Sequence, residues 1–213
     1  YPVWRILIRE LFPFSPLPRF EICVLPVYTK NYKAGAVLML SRPPRVAAIH
    51  DLSGFGRCSL SVILPVISVM GMQVCPIPTA ILSTHTGGFG EVSQRDLTDY
   101  MEPCLDHYRK VGLEFECIYT GYLSSPDQVA HCLQFFDSWP GALKVVDPVM
   151  GDHGKAYRTC GKELQAGMTQ LVSAADIITP NLTEACILLK QNYEFNSLTH
   201  SQAKSMLARL SEL

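Results

Sequence analysis

Three acidic residues stand where apolar runs of this 213-residue chain stop: Asp51 after "RVAAIH", Asp147 after "ALKVV" and Glu184 shortly after "ADIITP". A carboxylate at the end of a buried strand needs a partner, a cation or water. Asp147 is followed by Pro148, which cannot continue a strand ladder, and then by the glycine-bearing loop "VMGDHGK". Holding Mg²⁺, directly or through water, is one good use for such an acid. Glu184 lies three residues after Asn181, the spacing of a helix cap with an acid in the first turn. That structural role stands by itself, yet the same placement sets Glu184 beside Asp147. Two neighbouring acids attract a metal bound to phosphates.

Asp51 opens "DLSGFGRCS". It either caps a turn with help from Ser53, or accepts a hydrogen bond from a substrate hydroxyl or ring nitrogen. Spacing alone does not choose between the two. The "GFG" is no phosphate-cradling Walker loop, because no GK[ST] follows it. In "STHTGGFG" (83–90), Thr86 is followed by Gly87 and Gly88, which let the backbone approach a ligand closely. The stretch reads equally as a plain loop or as a mobile lid. His50, His85, His107, His131, His153 and His200 share no metal-ligand spacing and read as unrelated structural or surface residues.

These residues need elements to hold them. From Arg45 short apolar runs alternate with helical segments. Strands are predicted at 45–50, 72–80, 115–121, 142–147 and 175–180. Helices are predicted at 57–71, 94–112 with an interruption at Pro103, 125–139, 161–174, 181–190 and 199–213. Ser125 with Gln128 and Thr199 with Gln202 have the spacing of capping boxes. Alternating strands and helices imply βαβ units and a mostly parallel sheet covered on both faces. Ligands of such α/β sheets bind beyond the carboxyl ends of the strands. His50 and Asp51, Thr86 and Gly87, Gly121 and Tyr122, Asp147, and Thr179 to Glu184 all fall at those ends.

Composition narrows the classes. The chain is 48% hydrophobic and 17% charged, with a net charge of -1. No basic run argues for a nucleic-acid or anionic membrane surface. No apolar run approaches a membrane span, and no secretory signal pattern opens the chain. Eight cysteines at 24, 58, 75, 104, 117, 132, 160 and 186 contain no CxxC and fit no zinc spacing. They read as reduced, buried thiols of a cytoplasmic protein. Residues 1–44 differ from the rest: prolines at 2, 13, 16, 18 and 26 break every period. They are an irregular extension or upstream sequence translated in frame, with Met39 as the true start. The second reading is the one preferred here, so the domain proper is expected over 45–213.

"RVAAIHDLSGFGRCSLSVILPVISVMGMQVCPIPTAILSTHTGGFG", "YTGYL", "VVDPVMGDHGK" and "ADIITPNLTEA" together resemble the pyridoxal/pyridoxamine kinases of the ribokinase-like superfamily, the bacterial pyridoxamine kinase branch most of all. The likeness covers about 45–213 and rests on four ordered motifs. It implies a ribokinase-like three-layer sandwich with a mostly parallel sheet. It also implies ATP-dependent phosphorylation of the 5′-hydroxymethyl group of pyridoxal, pyridoxamine or pyridoxine, with Mg²⁺. By the same resemblance Asp51, Thr86 and Gly87 fall at substrate positions. Asp147, Thr179, Asn181 and Glu184 fall at ATP-side positions, and Asp147 with Glu184 at the metal. A homodimer is a family expectation only. Members of the family continue for roughly another third of their length, with a G-x-G-D loop that supplies an anion hole and the base. No such motif occurs in the 213 residues. The base is therefore expected beyond Leu213, the sheet to be C-terminally incomplete, and the apolar face of the last helix (Met206, Leu207, Leu210) to lack part of its partner surface. A chain lacking the base is expected to be poorly soluble and inactive. The alternatives are a hydroxymethylpyrimidine kinase of thiamine synthesis and a non-catalytic vitamer-binding protein.

Overall fold

The computed structural model describes residues 42–86, 89–192 and 198–213. Five strands form a parallel array: β1 (Arg45–Phe55), β2 (Gln73–Thr84), β4 (Cys117–Thr120), β5 (Leu143–Val146) and β8 (Ile177–Ile178). A short antiparallel strand, β3 (Gln94–Asp96), lies at one edge, giving the order β3-β2-β1-β4-β5-β8. A separate hairpin, β6 (Gly151–Asp152) with β7 (Lys155–Ala156), follows Asp147. The alternation read from the sequence is therefore the architecture, an α/β sheet flanked by helices. Residues 1–41 of the 1–44 extension, and Gly87, lie outside the described residues, so the reading of the N-terminal segment is not addressed by the fold.

The layers are unequal. Helices α2 (Thr98–Lys110), α3 (Pro126–Ser138), α4 (Lys162–Ser173) and α5 (Leu182–Leu188) supply one continuous core, with Phe135, Leu105, Met101, Met168 and Leu171 fully buried. On the other face α1 (Leu60–Val69) covers a small cluster of Ala48, Leu60 and Ile63. Helix α6 (His200–Leu210) buries Met206 and Leu210 in the main core, beside Leu188 of α5. The main core thus covers Met206 and Leu210, while Leu207 of the same apolar face stays partly exposed.

Other differences have local causes. β1 runs five residues past His50, because a bulge between His50 and Leu52 lets it keep pairing with β2 as far as Phe55. Residues 94–96 form an edge strand rather than the start of a helix, because tertiary pairing with Ala80–Leu82 overrides local propensity. Pro103 does not interrupt α2: the helix runs through it, giving up one i to i−4 bond, while Met101, Cys104 and Leu105 around it are buried in the core. Ser125 caps α3 through Gln128 N–H at 3.3 Å, but the return bond of a capping box is missing. The Gln128 side chain is fully buried and instead joins Ser124 N–H, Thr79 C=O and Thr98 Oγ1. The box of Thr199 with Gln202 is complete.

Candidate active site

The carboxyl ends of the strands present two groups of polar residues, one around Asp51 and one around Asp147.

Asp51 sits in β1 opposite a bulge of β2 at Thr79–Ala80, and is 5% exposed. Both its oxygens accept from hydroxyls: Oδ2 from Ser53 at 3.0 Å and Oδ1 from Ser59 at 2.5 Å. Ser59 occupies the N-cap position of α1 but makes no side-chain cap there. Beyond Asp51 two loops dock through aromatic rings. Phe55 meets Phe89 edge-on at 5.5 Å between centroids, and His85 meets Phe89 at 4.8 Å. Gly56, at φ +125, leaves room for His85; a Cβ there would lie 2.6 Å from its ring. Thr86 is exposed at the start of this second loop. Phe55 and Gly56 of the "GFG" segment thus meet His85 and Phe89 of the second loop.

Gly121 and Tyr122 follow β4. A Cβ on Gly121 would fall 2.1 Å from His50 Nδ1, so the glycine is fixed by the buried imidazole above it. His50 stacks edge-on with Tyr119 at 4.4 Å, and burial pushes its pKa down to about 3, so the ring is neutral. It is a structural residue, as its lack of ligand spacing suggested. The Tyr122 carbonyl accepts from Thr79 Oγ1 at 2.8 Å. Its phenol hydrogen-bonds Thr159, and its pKa is raised by burial first and by Asp51 and Asp96 after that. Tyr122 thus bridges the Asp51 group and the loop that follows the β6–β7 hairpin.

On the second group, Asp147 leaves β5 with its N–H on Thr120 C=O at 2.9 Å. The chain then enters the hairpin, which α5 grips by its N-terminus. Asn181 Nδ2 donates to Gly151 C=O at 2.8 Å, and Gly154 N–H donates to Thr183 Oγ1 at 2.9 Å. Glu184, 3% exposed, accepts from Met150 N–H at 3.2 Å and Asn181 N–H at 2.8 Å. Asn181 Oδ1 accepts Glu184 N–H at 3.0 Å, completing the capping box. Thr179 is exposed beside them, with its N–H on Val146 C=O at 3.0 Å.

The two acids of this group disfavour each other's charge. Burial pushes Asp147 up to about 7. Burial, then the Asp147 charge, pushes Glu184 up to about 8, against the opposing backbone N–H bonds. Paired acids of this kind are stabilised by a cation, which is the observation that makes them fit Mg²⁺. Glu184 is already engaged by amides through both oxygens, and with Asp147 it would hold such an ion. Among the described residues no group of three or more His, Cys, Asp or Glu is placed to hold a metal without further ligands. Phosphate oxygens and water would have to complete the set.

Residues 64–213 match the family described as phosphomethylpyrimidine kinase. The chain belongs to that family. A Bacteroides thetaiotaomicron protein assigned as a phosphomethylpyrimidine kinase, crystallised with pyridoxal, is 43% identical with a TM-score of 0.77, over 80% of this chain and 60% of its own. Pyridoxal kinase from Lactobacillus plantarum is 32% identical with a TM-score of 0.73, over 79% and 59%. Pyridoxal kinase PdxY of Deinococcus radiodurans is 25% identical over 79% of this chain and 58% of its own length. The fold is thus that of the pyridoxal kinase structures, within the ribokinase-like superfamily. This chain spans about three fifths of the length of each of these relatives.

The structure places Asp51 and Thr86 on one group, and Asp147, Asn181, Glu184 and Thr179 on the other; Gly87 lies outside the described residues. Sequence reasoning missed Ser59 and Thr159 and gave Tyr122 only a place on the rim. Ser59 precedes a helix and reads as its cap, and nothing local tells that its hydroxyl turns back to Asp51. One surface cleft is lined by Asp96, Asp99, Glu102, Asp127 and His131, none of them among the site residues singled out from the sequence. The described cysteines are free thiols, and no described helix is long and apolar enough to cross a membrane.

Proposed function

We propose that this chain carries the substrate side and the metal side of a cytoplasmic kinase that transfers the γ-phosphoryl group of ATP to the 5′-hydroxymethyl group of pyridoxal, pyridoxamine or pyridoxine. The observation that carries the proposal is the arrangement of carboxylates on one rim: Asp51 held by hydroxyls, and the half-buried Asp147 with the buried Glu184. Asp51 with Thr86 and Gly87 contacts the pyridine ring. Asp147, with Glu184 behind it and Asn181 and Thr179 beside it, faces the nucleotide phosphates. When bound, Mg²⁺ supplies charge neutralisation for phosphates, which dominates catalysis of phosphoryl transfer. The protein's own part is positioning: the α5 cap fixes the loop after Asp147, and Tyr122 links that loop to the substrate group.

Residues 1–213 taken alone are proposed not to turn over, because no G-x-G-D segment occurs among them to provide the base. A homodimer is the assembly expected from resemblance, and sedimentation of the chain checks it. The test of function is a chimera that continues this chain with the remaining part of the Bacteroides relative. Formation of pyridoxal 5′-phosphate with Mg-ATP supports the reading, and its loss in Asp147→Asn localises it. The second reading, phosphorylation of hydroxymethylpyrimidine, is favoured by the description of the matched family. Preference of the chimera for that pyrimidine over every B6 vitamer would replace the first reading. Vitamer binding without transfer by the chimera would favour a binding protein.

A further inference from the structure

Ser59 holds a backbone conformation that its residue type disfavours. Its φ is 50° and its ψ is −139°, a region glycine occupies readily and a Cβ-bearing residue does not. The other described non-glycine residues at positive φ are His153, in the β6–β7 turn, and Lys190, just after α5, both places where chain reversals ask for that conformation. Ser59 is different. It stands at the start of a helix, where an extended serine with its hydroxyl on the helix N–H groups is the favourable arrangement. Both advantages are given up here. The hydroxyl makes no cap and instead donates to Asp51 Oδ1 at 2.5 Å. Strain that persists at one residue is informative when the surrounding contacts show what it secures.

We infer that Ser59 is a positioning residue for Asp51, and that its unfavourable backbone is kept because it brings the hydroxyl onto that carboxylate. Ser53 takes the other oxygen, so the two serines fix the carboxylate plane from opposite sides. Ser61 does not share the task, since its hydroxyl donates to Ser53 C=O at 2.7 Å and steadies the β1 end of the turn. A carboxylate fixed in this way presents its remaining lone pairs in one direction. It therefore favours a ligand that brings a donor, a ring N–H or a hydroxyl, to that one position. This inference rests on the proposed contact between Asp51 and the vitamer.

The test separates the hydroxyl from the backbone. The variants Ser59→Gly, Ser59→Ala and Ser59→Thr are made in the full 213-residue chain, with Asp51→Asn beside them. Pyridoxine binding is read by calorimetry and folding by thermal melting. Glycine removes both the hydroxyl and the strain, alanine removes the hydroxyl alone, and threonine keeps the hydroxyl while worsening the strain. The expected order of Tm is glycine above alanine, with threonine lowest. The expected order of affinity is different: serine and threonine alike, with glycine and alanine weaker by about tenfold. A serine that merely starts α1 would make affinity follow Tm. That outcome, or a glycine variant that binds as tightly as the parent, overturns the inference. Should threonine prevent folding, the glycine and alanine pair still decides it. Loss of binding in Asp51→Asn with none in Ser59→Gly sinks the Ser59 role and leaves the Asp51 contact standing. Unchanged binding in Asp51→Asn, or no pyridoxine binding by the parent chain, sinks both.

Discussion

The two groups at the strand ends handle buried carboxylates in opposite ways. Asp51 is nearly inaccessible and has a hydroxyl donor on each oxygen. Asp147 and Glu184 face each other's charge, and both are pushed towards neutrality. In the first arrangement hydroxyls of this chain answer the carboxylate charge. In the second, desolvation and a like charge favour the neutral acids, the pattern that marks them as a candidate cation site.

Each group depends on one glycine, and replacing either should give the largest effects. Gly121→Ala drives a methyl into the buried His50 ring, and Gly151→Ala drives one to 2.4 Å from the Lys155 carbonyl oxygen. Each is expected to cost about 3 kcal/mol, measured by urea unfolding. If Gly121→Ala is tolerated, the rigid backing assigned to the Asp51 group is wrong. Asn181→Ala should cost about 1–2 kcal/mol, since it removes the cap on Glu184 N–H and the bond to Gly151 C=O. It should weaken Mg-nucleotide binding while leaving pyridoxine binding unchanged, and equal losses in both would erase the distinction between the groups.

The contrast also has a pH signature. Folding raises the Glu184 pKa to about 8 from an ordinary 4.5, and the Asp147 pKa to about 7 from 3.8. The folded state therefore binds more protons than the unfolded state between those limits. The stability linked to protonation is complete below about pH 4 and is lost as pH rises to about 8. Melting temperature should fall across that window in metal-free buffer, and Glu184→Gln should flatten the fall. His50 acts in the other direction. Its folded pKa of about 3 lies below the ordinary 6.5, so its contribution is present above pH 6.5 and lost as pH falls towards 3. The smallest effect expected is on pyridoxine binding in Glu184→Gln, which should not change measurably in calorimetry. A large change there would mean that the two groups act as one.

How much of this could be read from the chain differs between the groups. The capping box of Asn181 and Glu184 is a spacing of three residues, and spacing survives folding unchanged. The same holds for Asp147 followed by Pro148 at the end of an apolar run, and for the alternation that gives a parallel sheet. Residue order by itself thus determined the fold class and which acids stand at the strand ends. The tertiary structure decided what those acids touch. β1 extends past Asp51 because β2 pairs with it through a bulge, and residues 94–96 become a strand because an edge was free to pair. Ser59 leaves the helix it precedes for a carboxylate eight residues away, and Glu184 feels Asp147 across 37 positions of sequence. These are contacts between elements, set by packing and by the register of neighbouring strands, and no local pattern of residue types encodes them.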